Sequence, residues 1–146
     1  MTDLRGLLGL LARFGLAGLA NTAVGFAVIA GLDLGLHVQP QLANAAGYVV
    51  GIGMGFALNR KFVFASTGKA KGEFVRYLGV VAVAFAANQG VLLAAHKVLG
   101  DSPIEHLAAQ FSGMVSYTVL TFVLSRYFVF SRASSASAAG QSASKT

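Results

Sequence analysis

The stretch Gly47–Phe64, GYVVGIGMGFALNRKFVF, constrains this chain most. It carries no charge before Arg60, and Gly47, Gly51 and Gly55 recur at every fourth residue. That spacing lines three glycines along one helix face, with Gly53 on the opposite side. In water such a helix is disfavoured, because each interior glycine costs about 1 kcal/mol relative to alanine. In lipid the same spacing lets two helix backbones approach closely, the small-xxx-small arrangement of packed membrane helices. The run closes on Asn59-Arg60-Lys61 and Phe62-Val63-Phe64. That is a basic and aromatic collar suited to the boundary between membrane and water.

The composition agrees. Only 11% of residues are charged, against about 25% in an ordinary soluble domain, so polar surface is too scarce to cover a water-soluble globule. The absence of cysteine excludes disulfides, thiolate metal sites and cysteine nucleophiles. The net charge of +6 sits at the ends of apolar runs and not along one polar face. This favours a topological role for the charge over nucleic-acid binding.

Four runs are long enough for a membrane helix, which needs about 20 apolar residues. They cover about residues 10–32, 41–64, 74–99 and 104–130. The first exceeds the 7–15 apolar residues typical of a signal peptide and reads as a span. Pro40 and Pro103 open the second and fourth runs, with Ser102 placed to cap the fourth. Residues 65–73 read as a short basic loop, and no acid is expected inside a span, Glu105 standing at the very start of the fourth. Residues 1–132 thus form an all-α, four-helix membrane domain, and the Ser/Ala-rich tail 133–146 is expected to be disordered.

Charge sets the expected orientation. Arg5, Arg13, Arg60, Lys61, Lys69, Lys71, Arg76, Arg126, Arg132 and Lys145 fall at the termini and around the central loop, whereas the two other loops hold only Lys97. By the positive-inside rule both termini are cytoplasmic.

NRKFVF at 59–64 returns as SRYFVF at 125–130, an offset of 66. The stripe Asn44, Gly47, Gly51, Gly55, Asn59 then pairs with Gln110, Gly113, Tyr117, Thr121, Ser125. Arg13-Phe14 ahead of Asn21 resembles Arg76-Tyr77 ahead of Asn88. The expected architecture is two parallel two-helix repeats, related by an axis along the membrane normal.

Polar groups inside lipid need partners or water. Asn21, Asn44, Asn59, Asn88 and Gln110 are the candidates for a polar path, with Asn21 and Asn88 expected near mid-depth. Ser112, Ser116 and Thr118 are expected to bond their own helix backbones. Arg13, Arg60, Arg76 and Arg126 sit at the predicted cytoplasmic ends, where guanidinium groups can snorkel to head groups or grip a phosphate bidentately. Gly47, Gly51, Gly55 and Gly113 are the candidate helix-packing positions, within one chain or in a homodimer. Nothing has metal-ligand spacing, a nucleophile triad, paired carboxylates or a phosphate loop, so neither an enzyme nor a cofactor is expected.

Over residues 10–132 the chain resembles the GtrA-like family of small bacterial membrane proteins. The likeness rests on four spans, an early Arg-Phe ahead of an intramembrane Asn, and the paired endings NRKFVF and SRYFVF, with Ser125 departing from the asparagine of the first copy. The resemblance implies flipping of a polyprenyl-phosphate-linked sugar, such as undecaprenyl-phosphate-glucose, across the bacterial cytoplasmic membrane for cell-surface polysaccharide synthesis. The alternative it leaves open is a membrane anchor or partner of a glycosyltransferase. A small cation-exporting drug pump fits less well, because it would be expected to carry an intramembrane acid.

Overall fold

A computed structural model describes residues 4–99 and 102–131. The expected tail lies outside them, as do Arg132 and Lys145. The described residues form four helices and no strand: α1 (Leu4–Ala30), α2 (Pro40–Leu58), α3 (Ala70–Leu99) and α4 (Pro103–Leu124). All four are long and apolar enough to cross a membrane. In lipid a backbone must satisfy its own hydrogen bonds, which is why glycine-rich segments that water would unravel stay helical here.

Three helices run on into single π-helical turns: Gly31–Gly35 after α1, Asn59–Val63 after α2 and Ser125–Val129 after α4. In the last two, Phe64 N–H donates to the Asn59 carbonyl and Phe130 N–H to the Ser125 carbonyl, each at 2.9 Å. The turn after α1 ends with Val38 N–H on the Leu32 carbonyl, and that after α2 with Ser66 N–H on the Arg60 carbonyl, at 2.9 and 2.8 Å. In both, the residue just before the donor turns left-handed: His37 at φ 52° and Ala65 at φ 47°.

The chain divides into two compact units, Met1–Thr67 and Gly68–Thr146, each holding one helix pair. In the first, α1 packs on α2 and on the π-turn after it. The buried ridge of α2 recurs at every fourth residue: Ala43, Gly47, Gly55, Asn59 and Val63, with Gly51 half-buried. In the second, α3 packs on α4 and on its π-turn. There the ridge is Ala109, Gly113, Thr121, Ser125 and Val129, with Tyr117 half-buried. Position by position the two ridges lie 66 residues apart and share one burial pattern. A ridge with a four-residue step drifts around a 3.6-residue helix. The wider π-turn takes back part of that drift and returns Val63 and Val129 to the buried face.

This ridge corrects the expected stripe at its outer end. Four residues before Gly47 and Gly113 stand Ala43 and Ala109, both buried, whereas Asn44 and Gln110 are exposed. The central loop is also shorter than expected, because α3 begins at Ala70 and takes Lys71 and Glu73 into its first turn. Glu73 is 1% exposed. A carboxylate there is favoured by the positive end of the helix dipole. Asp33 likewise falls within the helical stretch Leu4–Gly35. The expectation that no acid lies within a span therefore fails at both places, and at Glu105 in the first turn of α4. Ser102 caps α4 in a capping box: Glu105 N–H donates to its hydroxyl at 3.4 Å, and Ser102 N–H donates to the Glu105 carboxylate at 2.9 Å.

Two stability predictions follow from the packing. A Cβ at Gly47 would collide with the Ile29 side chain and sit 3.2 Å from the Gly25 carbonyl oxygen, whereas Gly53 has nothing within 4 Å. Gly47→Ala should lower unfolding stability in detergent by about 1–3 kcal/mol. Gly53→Ala should leave it equal or slightly higher. Equal effects of the two would show that the close contact does not hold the pair together. Ala65→Gly should raise stability by roughly 0.5–1 kcal/mol, because it relieves a left-handed alanine.

Candidate functional site

The glycine contacts fix the register of each helix pair. In the first, Gly47 lies over Gly25, and Gly51 lies 3.9 Å from the Asn21 amide nitrogen, as measured from the position of an added Cβ. Each four-residue step up α2 therefore moves its neighbour four residues back along α1. Two further steps bring Gly55 to Ala17, both of them buried, and then Asn59 to the level of Arg13. Arg60 follows immediately, inside the π-turn. In the second pair Gly113 lies against Asn88 and Leu92. Stepping through Tyr117 and Thr121 to Ser125 carries the partner from Asn88 through Ala84 and Val80 to Arg76. Ala84 and Val80 are buried, as this register requires. Arg126 again comes next, in the π-turn.

Each pair therefore brings an arginine of its first helix level with the opening residue of a π-turn whose next residue is also arginine. The environments differ in detail. Arg13 is exposed, while Arg60, Arg76 and Arg126 are half-buried. Arg126 has its guanidinium carbon 5.4 Å from the centre of the Tyr127 ring, within cation–π range. Arg76 encloses its Nε with no hydrogen-bond partner. A charged donor left so is costly, and an anionic oxygen is the group that would satisfy it. Basic residues at these helix ends also complement the negative pole of the helix dipole, which is sufficient reason for Arg60 and Lys61 to be tolerated there.

The two opening residues differ as well. The Asn59 amide donates to the Gly55 carbonyl at 2.8 Å, and its oxygen is enclosed without a partner. The Ser125 hydroxyl is also enclosed and unpartnered. Asn21 has its side-chain oxygen in the same state. The Asn88 amide donates to Gln89 on its own helix at 3.3 Å and not to α4. Ser112 and Thr118 bond the carbonyls of Ala108 and Met114, both at 2.8 Å, as hydroxyls in lipid do.

Spacing along the helices sets the depth of the two asparagines. Asn21 lies eight residues along α1 from Arg13, about 12 Å, and Asn88 lies twelve residues along α3 from Arg76, about 18 Å. The two asparagines are therefore not equivalent, because Asn88 stands where the first pair has Gly25. Asn44 is exposed near the start of α2, outside the helix contact. Gln110, though exposed, lines an open groove of about 470 Å³ in the second pair, together with Asn88, Leu107, Phe111, Met114 and Tyr117. The sequence marked Tyr117 only as the residue opposite Gly51 in the repeat. No cluster of three or more His, Asp or Glu able to hold a metal occurs among the described residues.

Comparison with known proteins covers the same region. The model of the GtrA/DPMS transmembrane domain matches residues 13–130, from the first arginine of the site through the second aromatic collar. The bactoprenol-linked glucose translocase of Salmonella phage P22 is 26% identical over 125 residues, covering 85% of this chain and 97% of that protein. No solved structure matches the chain. One matched family domain takes in α1 from Arg13 onward, the other three helices, both collars and the paired arginine levels, so the chain belongs to the GtrA/DPMS transmembrane-domain family and is a multi-pass membrane protein.

Proposed function

We propose that this protein translocates a polyprenyl-phosphate-linked sugar across a bacterial cytoplasmic membrane, in support of cell-surface polysaccharide synthesis. The observation that carries the reading is the arginine level of each helix pair, Arg13 with Asn59–Arg60 and Arg76 with Ser125–Arg126. At Arg76 it includes an enclosed Nε–H that lacks an acceptor. A lipid phosphate supplies that acceptor, and the guanidinium supplies a planar bidentate donor for it. The P22 relative, matched over nearly its whole length, is named for the same class of lipid-linked sugar. The amides of Asn21 and Asn88, one or more turns deeper, offer donors and acceptors to sugar hydroxyls, while the prenyl chain stays in lipid.

The chain acts with both termini cytoplasmic and with its helix pairs as two repeats of the same orientation. The matching burial of ridges 66 residues apart supports the duplication, and the Lys/Arg distribution supports the orientation. The arginine levels then face the leaflet in which a lipid-linked sugar is made. No nucleotide-binding motif accompanies them, so the flux follows a substrate or ion gradient or consumption on the far side. A homodimer would help enclose the route. In the alternative reading, an anchor for a glycosyltransferase, the working surface is the basic loop and no polar path is needed.

In proteoliposomes carrying a labelled polyprenyl-phosphate hexose, the purified protein alone should accelerate exchange of label between leaflets. Arg76→Ala and the double change Arg13→Ala with Arg60→Ala should each slow it by about 10–100-fold, the worth of one charged hydrogen bond. Arg76→Lys should recover only part of the rate, because it keeps the charge without the fork. No acceleration over empty vesicles, with a transferase co-purifying, would favour the anchor reading. The chain has no cysteine, so single cysteines report orientation cleanly. In intact cells Thr67→Cys should resist an impermeant maleimide and Gln39→Cys should react. The reverse pattern would invert the topology.

A further inference from the structure

The groove on the second helix pair has a chemistry different from that of the arginine levels. Its lining is Asn88, Gln110 and Tyr117, with Leu107, Phe111 and Met114. No cation and no acid lines it, so it offers a phosphate no charged partner. Two neutral amides each present donors and an acceptor. The phenol ring adds a flat face whose negative quadrupole attracts polarised C–H groups. Together they suit a neutral ring with hydroxyls at its edge and C–H bonds on its face. The volume of about 470 Å³ lies in the range of small-molecule sites.

The surroundings narrow the occupant further. Leu107, Phe111 and Met114 are exposed at 70%, 63% and 59%, so the groove opens through an apolar wall. A ligand whose polar head enters there can leave a hydrocarbon chain outside. Asn88 stands about 18 Å along α3 from Arg76, and on α4 the lining runs from Tyr117, about 12 Å from Ser125, to Leu107, about 27 Å from it. The groove thus runs from mid-span toward the end of the pair away from the arginine level. The Asn88 amide nitrogen donates to neighbouring Gln89 at a long 3.3 Å and makes no hydrogen bond to α4, while its oxygen lies against Gly113.

The first pair gives the contrast. Its position opposite Tyr117 is Gly51, which lies close to Asn21, 3.9 Å measured from an added Cβ. A bare residue there lets α2 approach the asparagine; a tyrosine sets a ring beside the equivalent contact. We propose that the α3–α4 groove is the sugar-receiving subsite of the far leaflet. There the Tyr117 ring is a platform for the pyranose of the lipid-linked sugar, and Asn88 and Gln110 bond its hydroxyls. This rests on the translocation reading above and adds to it a division of labour. Arginines hold the phosphate on the side of entry, and the second pair alone recognises the sugar on the side of exit.

The test uses the full-length protein in detergent. The chain lacks tryptophan, so Phe111→Trp places a single reporter in the groove. Its emission is titrated with farnesyl-phosphate glucose and with farnesyl phosphate. The sugar-bearing lipid should bind about tenfold or more tightly than the bare lipid. Adding Tyr117→Leu or Gln110→Ala should abolish that difference without weakening farnesyl phosphate, and Tyr117→Phe should keep most of it. Equal affinities for the two lipids, or a difference that survives both Tyr117→Leu and Gln110→Ala, would overturn the subsite. The translocation reading fails separately, if the unmodified protein leaves the exchange of lipid-linked sugar in proteoliposomes unaccelerated. Retained discrimination between the two lipids would then still support a sugar subsite.

Discussion

Everything in each helix pair follows from one contact, the backbone approach at Gly47 in the first pair and at Gly113 in the second. Lipid tails are as apolar as leucine, so burial of apolar side chains gives little reason for two membrane helices to associate. What remains is close packing, and that requires a ridge without side chains in the way. Ala43, Gly47 and Gly55 supply it in α2, and Ala109 and Gly113 supply it in α4. Once Gly47 is seated against Gly25 and Ile29, and Gly113 against Asn88 and Leu92, the remaining levels are determined. The arginines then meet the π-turns by register, with no need for a contact of their own.

The π-turns add what a plain helix cannot. Asn59 and Ser125 are buried on the ridge, while Arg60 and Arg126 immediately after them are half-exposed. Widening the turn at this place keeps a valine on the buried face while the arginine stays half-exposed. The turns also enclose polar atoms with no partner on the chain, the Asn59 oxygen and the Ser125 hydroxyl. The two turns stand at matching positions of the two ridges, opening on Asn59 and on Ser125.

Much of this was legible in the residues. The collars NRKFVF and SRYFVF marked the ends of α2 and α4, and the glycine spacing marked the packing face. Pro103 and Ser102 marked the start of α4, where the capping box forms. Register was not legible, because it depends on which residue of the neighbouring helix each glycine meets. The spacings from Phe14 to Asn21 and from Tyr77 to Asn88, seven and eleven residues, already set the two asparagines about one turn apart, but not which residue of the neighbouring helix each one faces. The ridge was misjudged at Asn44 and Gln110 because a helix face about 100° wide admits both 43 and 44 beside 47. Glu73 was assigned to the loop because an acid in a span is costly in general. At the first turn of a helix that cost is partly offset by the dipole. Nothing in sequence announces a π-turn.

The two ridges differ where it matters for mechanism. Positions at the ends agree: Ala43 with Ala109, Gly47 with Gly113, Val63 with Val129. The positions between them diverge: Gly51 against Tyr117, Gly55 against Thr121, Asn59 against Ser125. If the ridge served packing alone, the middle would be held to small apolar residues as strictly as the ends, since an added side chain there parts the helices. The second pair instead carries a phenol and two hydroxyls in that stretch. It keeps its close contact through Gly113 and remains packed against α3. Packing is thus secured near the ends of each ridge, and the middle is available for chemistry. The first pair places one amide there, Asn59, and the second a phenol and two hydroxyls, of which the Tyr117 phenol also lines the groove.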